Sequence, residues 1–491
     1  MGPTMIQWSR FVMGISLFLA LPSILFCQDA EFEKWLQQED GKIKQFKEER
    51  DREFTEFLKR EWKQIELLQG DSPIEKPKPV EAPVYEGPAP VRPPSEIKPV
   101  ISVKPITKTE PMPETKPAGP KTFSHDAEIK YFDVPLRFGY NDIPAIDLHG
   151  SITKEQFSRA WDALSGWDYK PVLEQMSHER DRRHLNDWGF VLLVYQTGKS
   201  IYAGSSNEAA LLTWFILSKA GYEVKIGYNE KVVLLLFPAE NRLYSVQYFM
   251  VKDDARRFYA PQVDRTVASP STLYTFNGKY PGADRPLQFE IRWIPTLLDE
   301  KVTKEFSFDY GGQTYHVKSL LSKDAIRFFE YYPQTNYEVY FNAPFSQEAV
   351  QSLLPQLSEI IKGKSETEAV NIILRFVQTA FQYKTDPEQF GREKSFFPDE
   401  TLFYPYSDCE DRAILFSYLV HNLINYEVVG LQYPEHVATA VRFQGNVAGD
   451  AVDVHGTKYL VCDPTYINAD IGMCMTRFKN TKPTIIRINS R

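Results

Sequence analysis

Apolar positions recurring at helical spacing dominate the C-terminal third of the chain. The stripe repeats every three to four residues over 347–361 and again over 366–381, and Ser365 followed by Glu368 supplies a capping box for the second helix. A third helix opens at Ser407 or Asp408, with Ile414, Leu415, Tyr418 and Leu419 on one face, and short strands follow it. Earlier in the chain the spacing predicts helices over 154–164, 188–196 and 207–220, then strands in YEVKIGY and KVVLLLF. Residues 256–345 carry the strand-like runs QFEIRWI, EFSFDY and YEVYFNA. Turn signals stand at Phe276-Asn277-Gly278 and Gly311-Gly312, so a β-rich middle region is expected there.

The N-terminal quarter follows other rules. Large apolar residues Phe32, Trp35, Ile43, Phe46, Phe54, Phe57, Ile65 and Leu68 fall in pairs three apart that recur every eleven residues. That period predicts a long, nearly straight amphipathic helix over 28–70. Two readings stand for it: self-association through residues 31–69 as a coiled coil, or a single helix folded back on the body. Between residues 71 and 120 lie 14 of the 34 prolines, among Lys, Glu and Val, which predicts an extended, disordered linker over 71–122. Ahead of both, Arg10 precedes sixteen uncharged residues, 11–26, short of the ~20 that span a bilayer. We read 1–27 as a signal peptide and the protein as exported, periplasmic or secreted. Cys27 adds a lipid-anchor reading, which Phe26 opposes because a small residue normally precedes a lipidated cysteine.

Composition narrows the class. Of 491 residues 43% are hydrophobic and 25% charged, which excludes a wholly disordered protein; 57 Lys plus Arg against 65 Asp plus Glu give −8, which argues against nucleic acid as the main partner. The remaining boundaries expected are an α/β region over 123–255, the β-rich region over 256–345 and a catalytic domain over 346–491.

The text YPYSDCEDRAILFSYLVHNL places Cys409 in the first turn of a helix, where the helix dipole favours a thiolate and backbone N–H groups can face an oxyanion. Asp408, Glu410 and Asp411 oppose that, so a cation must outweigh them. His436, on the strand in YPEHVATAV, is the expected cation, and Asp463, ending the next strand in KYLVCDPTY, is expected to orient it. On this basis Cys409 should be reactive below the ordinary thiol pKa of about 8.5. Equal intervals of 27 residues separate Cys409 from His436 and His436 from Asp463.

The segment resembles the transglutaminase-like superfamily of papain-related Cys-His-Asp thiol enzymes over about residues 346–475. The elements that match are Asp408-Cys409, His436, Asp463-Pro464-Thr465 and the preceding helix ending at Phe381-Gln382-Tyr383. The resemblance implies an α+β fold whose core packs a helix on an antiparallel sheet. It also implies attack by Cys409 on an amide of a protein or peptide substrate, with hydrolysis (peptidase or amidase) or transfer to an amine (acyltransferase) as the two outcomes. The rival is an inactive binding or scaffold protein of the cell envelope. Val437 departs from the aromatic residue common after the family's His. Tyr404, Tyr406 and Gln382 are unranked candidates for a second oxyanion donor, and the long loop 384–406 stands where it can line the cleft. No cofactor is expected, and no metal, since no short Cys-x-x-Cys or His-x-x-x-His pairing accompanies Cys409, His436, Cys462 and Asp463. An intramolecular disulfide, if formed, would join Cys462 to Cys474 and spare Cys409.

An offset of 204 residues aligns GSSNEAALLTWFILSKAGYEVKIGY with the Cys409 helix. Ala209, Leu211, Tyr222, Glu223 and Val224 then face Ala413, Leu415, Tyr426, Glu427 and Val428, while Ser205 and Val232 face Cys409 and His436. This is the pattern of a degenerate first copy without thiol or imidazole.

Overall fold

The computed structural model describes residues 28–74, 76–87, 122–251, 254–298 and 300–489. The expected signal peptide with Cys27, and residues 88–121 of the expected linker, lie outside them. The chain divides into two compact units, 1–53 and 54–491. In the first, residues 28–53 are helical and belong to the helix Gln28–Leu58, with Trp35 and Phe46 exposed. Among the described residues no helix is long and apolar enough to cross a membrane.

The second unit begins with the last turn of that helix. Phe54 is buried among Trp161, Trp214, Phe276 and Tyr280, at centroid distances of 4.6 to 6.1 Å. The helix predicted to reach residue 69 stops at Leu58. Trp62 folds back, its indole donating to Leu58 O, and packs on Phe157, Tyr228 and Phe276. Lys63–Glu66 then finds its backbone partners as an edge strand against Thr272–Thr275, so Ile65 belongs to a sheet and not to a helical stripe.

Architecture is α+β, with two antiparallel sheets that repeat one plan. In the first, helix Ser206–Lys219 leads into strand Lys225–Tyr228, which pairs with Val233–Pro238; that strand pairs with Asp254–Tyr259, and Asp254–Tyr259 with Tyr248–Val251. Thr272–Thr275 flanks the other side of Lys225–Tyr228. In the second, helix Cys409–Ile424 leads into Val428–Tyr433, which pairs with His436–Val441, then Thr457–Cys462, then Ala451–Val454, and Thr484–Ile486 flanks the other side. Five strands and the helix before them thus have the same order in both halves. A helix precedes each unit: Asp187–Ile201 in the first half and Glu366–Thr379 in the second.

The strands described within 256–345 are shared between two sheets. The first ones complete the first sheet, while Lys301–Tyr310 and Gln313–Ser322 make a ribbon whose turn, Gly311-Gly312, takes the positive φ that such a tight connection needs. The ribbon packs Phe308, Val317 and Leu321 into the core formed by helices Gln347–Ile361, Glu366–Thr379 and Cys409–Ile424. QFEIRWI is irregular, and YEVYFNA is the short helix Tyr337–Phe341, four of whose five side chains are buried. Burial of that aromatic face outweighs strand propensity there. Helix Lys170–Arg182 was not expected: its highly charged text masks a narrow buried face of Val172 and Met176.

Candidate active site

Asp408 caps the helix Cys409–Ile424, its N–H donating to Asp411 Oδ2 (3.2 Å), so Cys409 is the first helical residue. Ala413, Ile414, Leu415 and Leu419 lock the helix into the core, and Asn425 in the left-handed region ends it. Arg412, fully buried, ties the helix start to the preceding elements through Ser407 Oγ (3.2 Å), Gln378 O (3.3 Å) and Phe381 O (2.9 Å).

His436 opens its strand and Asp463 directly follows Thr457–Cys462, two strands that pair antiparallel. This register lets Asp463 Oδ2 meet His436 Nε2 at 2.9 Å, both side chains buried. Asp463 Oδ1 accepts from Thr465 N (2.9 Å) and Tyr466 N (3.2 Å), which fixes the carboxylate plane. Gln378 clamps the loop beyond it through the carbonyls of Asp463, Tyr466 and Ala469 at 2.8 to 3.1 Å. The imidazole lies parallel to the Phe478 ring, 5.3 Å between centroids, and Phe478 in turn stacks on Tyr433. Asp463 thus engages the Nε2 edge of the imidazole.

Cys409 is fully buried. Its sulfur donates to Glu410 Oε2 (3.2 Å), and the Val437 backbone N–H, next to His436, is directed at it. No protein-family model, curated protein or solved structure matches the chain.

The electrostatics correct the expectation of a thiolate. Burial first, then the Glu410 and Asp408 carboxylates, push the Cys409 thiol well above its ordinary value; Lys78 and the Val437 N–H oppose that without reversing it. The cation facing the acids is Lys78, from the segment expected to be an unfolded linker. Its side chain is 1% exposed, and Nζ lies 2.7 Å from Asp408 Oδ2 and 2.9 Å from Glu393 Oε2, with Glu410 Oε1 in contact and Asp386 Oδ2 at 3.4 Å. One ammonium cannot neutralise four carboxylates. Burial and the adjacent Asp408 push Asp386 up to about 8, and burial and the adjacent Glu410 push Asp408 up to about 8, so the cluster takes up protons far more readily than free carboxylates do. Three groups of acidic and thiol ligands here come within metal-binding reach of one another, Asp386, Asp408 and Asp411 among them, but the ammonium fills the space that the carboxylates surround.

The described residues 71–74 and 76–87 are therefore packed, not disordered. The sequence carried one signal for this: DCED demands a cation, and Lys78 stands between two prolines that stiffen the chain presenting it. Of the expected oxyanion donors, Tyr404 is committed to Glu330 Oε1 (3.1 Å), and Gln382 and Tyr406 pair with each other as a two-residue parallel bridge. Loop 384–406 is ordered by buried bonds, Phe396 N to Asp411 Oδ1 (2.9 Å), Lys394 N to Asp386 Oδ2 (3.0 Å) and the Lys394–Glu400 ion pair. Cys409, Cys462 and Cys474 are all unbridged.

Proposed function

We propose that this chain is an exported, transglutaminase-like thiol enzyme that acts on amide bonds of protein or peptide substrates through an acyl-enzyme on Cys409. The observation that carries the reading is the buried His436–Asp463 pair at 2.9 Å, on strands that follow a helix whose first residue is a cysteine. In this reading the second half is a papain-like core and the first half its degenerate copy. Sulfur attacks the amide carbonyl while His436 Nδ1 takes the thiol proton, and Asp463 stabilises the imidazolium. Collapse of the tetrahedral adduct breaks the C–N bond, returns the proton to the departing amine and leaves a thioester. Water then gives the acid, or a second amine gives a new amide, and the thiol is regenerated. The Val437 N–H and the first turn of the helix favour the oxyanion.

A second reading has one observation of its own: the sulfur is sealed from water and paired with a carboxylate, as suits a binding protein that has kept the fold. Turnover separates the two. The full chain is assayed for hydrolysis of a peptide library and for incorporation of a fluorescent primary amine into glutamine peptides, beside Cys409→Ala and His436→Ala. Turnover lost in both variants supports the enzyme; activity that survives Cys409→Ala, or none under any condition, promotes the binding protein. Export is tested by fractionation and by the mass of the mature N-terminus, expected near residue 28.

A further inference from the structure

Residues 73–74 and 76–85 run past the site from Gln432 and Pro434 to Ile467. Gln432 Nε2 donates to Pro73 O (3.4 Å) and Lys76 N to Pro434 O (3.0 Å), both at the turn that leads into His436. Lys78 then drops its ammonium between Asp408 and Glu410, the two neighbours of Cys409. Beyond it the Tyr383 hydroxyl donates to Pro79 O (2.8 Å). Tyr85 N to Ile467 O and Ile467 N to Pro83 O, 2.8 Å each, lay the segment parallel to the chain just past Asp463, with the Tyr85 ring edge-on to Tyr466 at 5.8 Å.

We propose that the surface running from Pro434 across the acids beside Cys409 to Ile467 is a binding site for an extended, lysine-bearing polypeptide, and that residues 73–74 and 76–85 are the chain's own occupant of it. Backbone pairing at one end and a side-chain pocket at the centre are how an extended peptide is recognised. The pocket is built for a cation. Asp408 Oδ1 and the Tyr337 hydroxyl are buried without hydrogen-bond partners, and Tyr337 faces Glu410, Lys78 and Cys409. Such a pocket cannot stand empty without leaving buried carboxylates uncompensated, so whatever replaces the segment must bring an ammonium with it. The ammonium is recognised and not reacted: burial works against its charge, but Asp408, Glu410 and Asp386 outweigh that and hold it protonated, with no lone pair for attack. The inference rests on the thiol-enzyme reading only for its consequence, that turnover requires the segment to leave.

The test uses the full chain and iodoacetamide labelling of Cys409, read by peptide mapping with Cys462 and Cys474 as internal controls. Tyr85→Ala removes the ring contact on Tyr466 and leaves the acids and Lys78 in place. Labelling of Cys409, slow in the unaltered chain, is expected to rise about tenfold in this variant as the segment opens more often. A synthetic peptide spanning residues 72–86 then restores slow labelling, and the same peptide carrying Lys78→Gln does not. Lys78→Gln in the full chain is expected to raise labelling as well, and if it fails to fold the Tyr85→Ala arm stands alone. Labelling unchanged in a folded variant, or protection that is absent or equal for the two peptides, overturns the inference. Protection without turnover keeps it while removing the enzyme; turnover without protection does the reverse.

Discussion

At the start of helix Ser206–Lys219, Ser206 Oγ donates to Asp264 Oδ2 (3.0 Å), which also receives the Tyr195 hydroxyl (3.1 Å) and lies 3.4 Å from Lys199 Nζ. At the start of helix Cys409–Ile424 stand a thiol, an imidazole and a cluster of acids around one imported lysine. The strand order beneath is the same. In the first half the carboxylate is over-supplied with donors: burial raises the cost of its charge, but hydrogen bonds from Thr266, Ser206 and Tyr195 outweigh it and hold Asp264 well below the ordinary carboxylate range. In the second half burial and neighbouring carboxylates dominate, and Asp386 and Asp408 are pushed well above the ordinary carboxylate range instead. One scaffold thus carries a carboxylate well supplied with donors at one helix start and a crowded acid cluster around a buried thiol at the other.

The sharpest way to break this comparison is turnover. His436→Ala should lower kcat by roughly 10²–10⁴, the usual contribution of a positioned acid–base group, while Ser206→Ala should leave kcat within about twofold. A comparable loss from Ser206→Ala would mean that the first half takes part in the chemistry.

Next in size is the packing. Leu211 and Leu415, both fully buried and facing one another in the 204-residue offset, should each cost about 2–5 kcal/mol on truncation to Ala, measured by urea unfolding. Equal costs would show two cores of equal quality under unlike chemistry.

The two halves should also fail at opposite ends of the pH scale. Asp386 and Asp408 bind their protons more tightly folded than unfolded, so their contribution is full below the ordinary value of 3.8 and is lost as pH rises through about 8. Asp264 is depressed, so its contribution is present above 3.8 and is lost as pH falls through its lower folded value. Hydrogen exchange from pH 3 to 9 should therefore show the Asp408 helix loosening progressively as pH rises from 3.8 to about 8, by at most ~1.4 kcal/mol per pH unit for each proton involved, and the Ser206 helix loosening as pH falls below 3.8. Asp386→Asn should flatten the first of these slopes. The smallest effect expected is on stability from Ser206→Ala, about 1 kcal/mol for a lost surface-near hydrogen bond.

What the sequence disclosed and what it concealed divide along range. The helix over 347–361, the one opening at Asp408, the Ser365 cap, His436 on a strand and Asp463 at the end of the next follow from local pattern, and the fold has them there, with His436 at the start of its strand. Lys78 does not follow, because its partners Asp408 and Glu410 are 330 and 332 residues away and its own neighbours are prolines without periodicity. The thiol's acidity was misjudged for the same reason: a helix dipole is a local inference, while burial is a property of the whole fold. Tyr337–Phe341 and Gln288–Ile294 were misjudged because aromatic, β-branched text cannot report whether its side chains will face a core from a strand, a helix or an irregular loop.

The segment that carries Lys78 has a consequence for the order of events during synthesis. Lys78 leaves the ribosome about 390 residues before Ile467, to whose stretch of chain its own segment is hydrogen-bonded. At ~5–20 residues per second that is roughly 20–80 s in which the segment cannot dock along its whole length. Its prolines and lysines keep it solvated meanwhile. The cleft closes only when the last sheet is complete, so its sealing marks the end of folding.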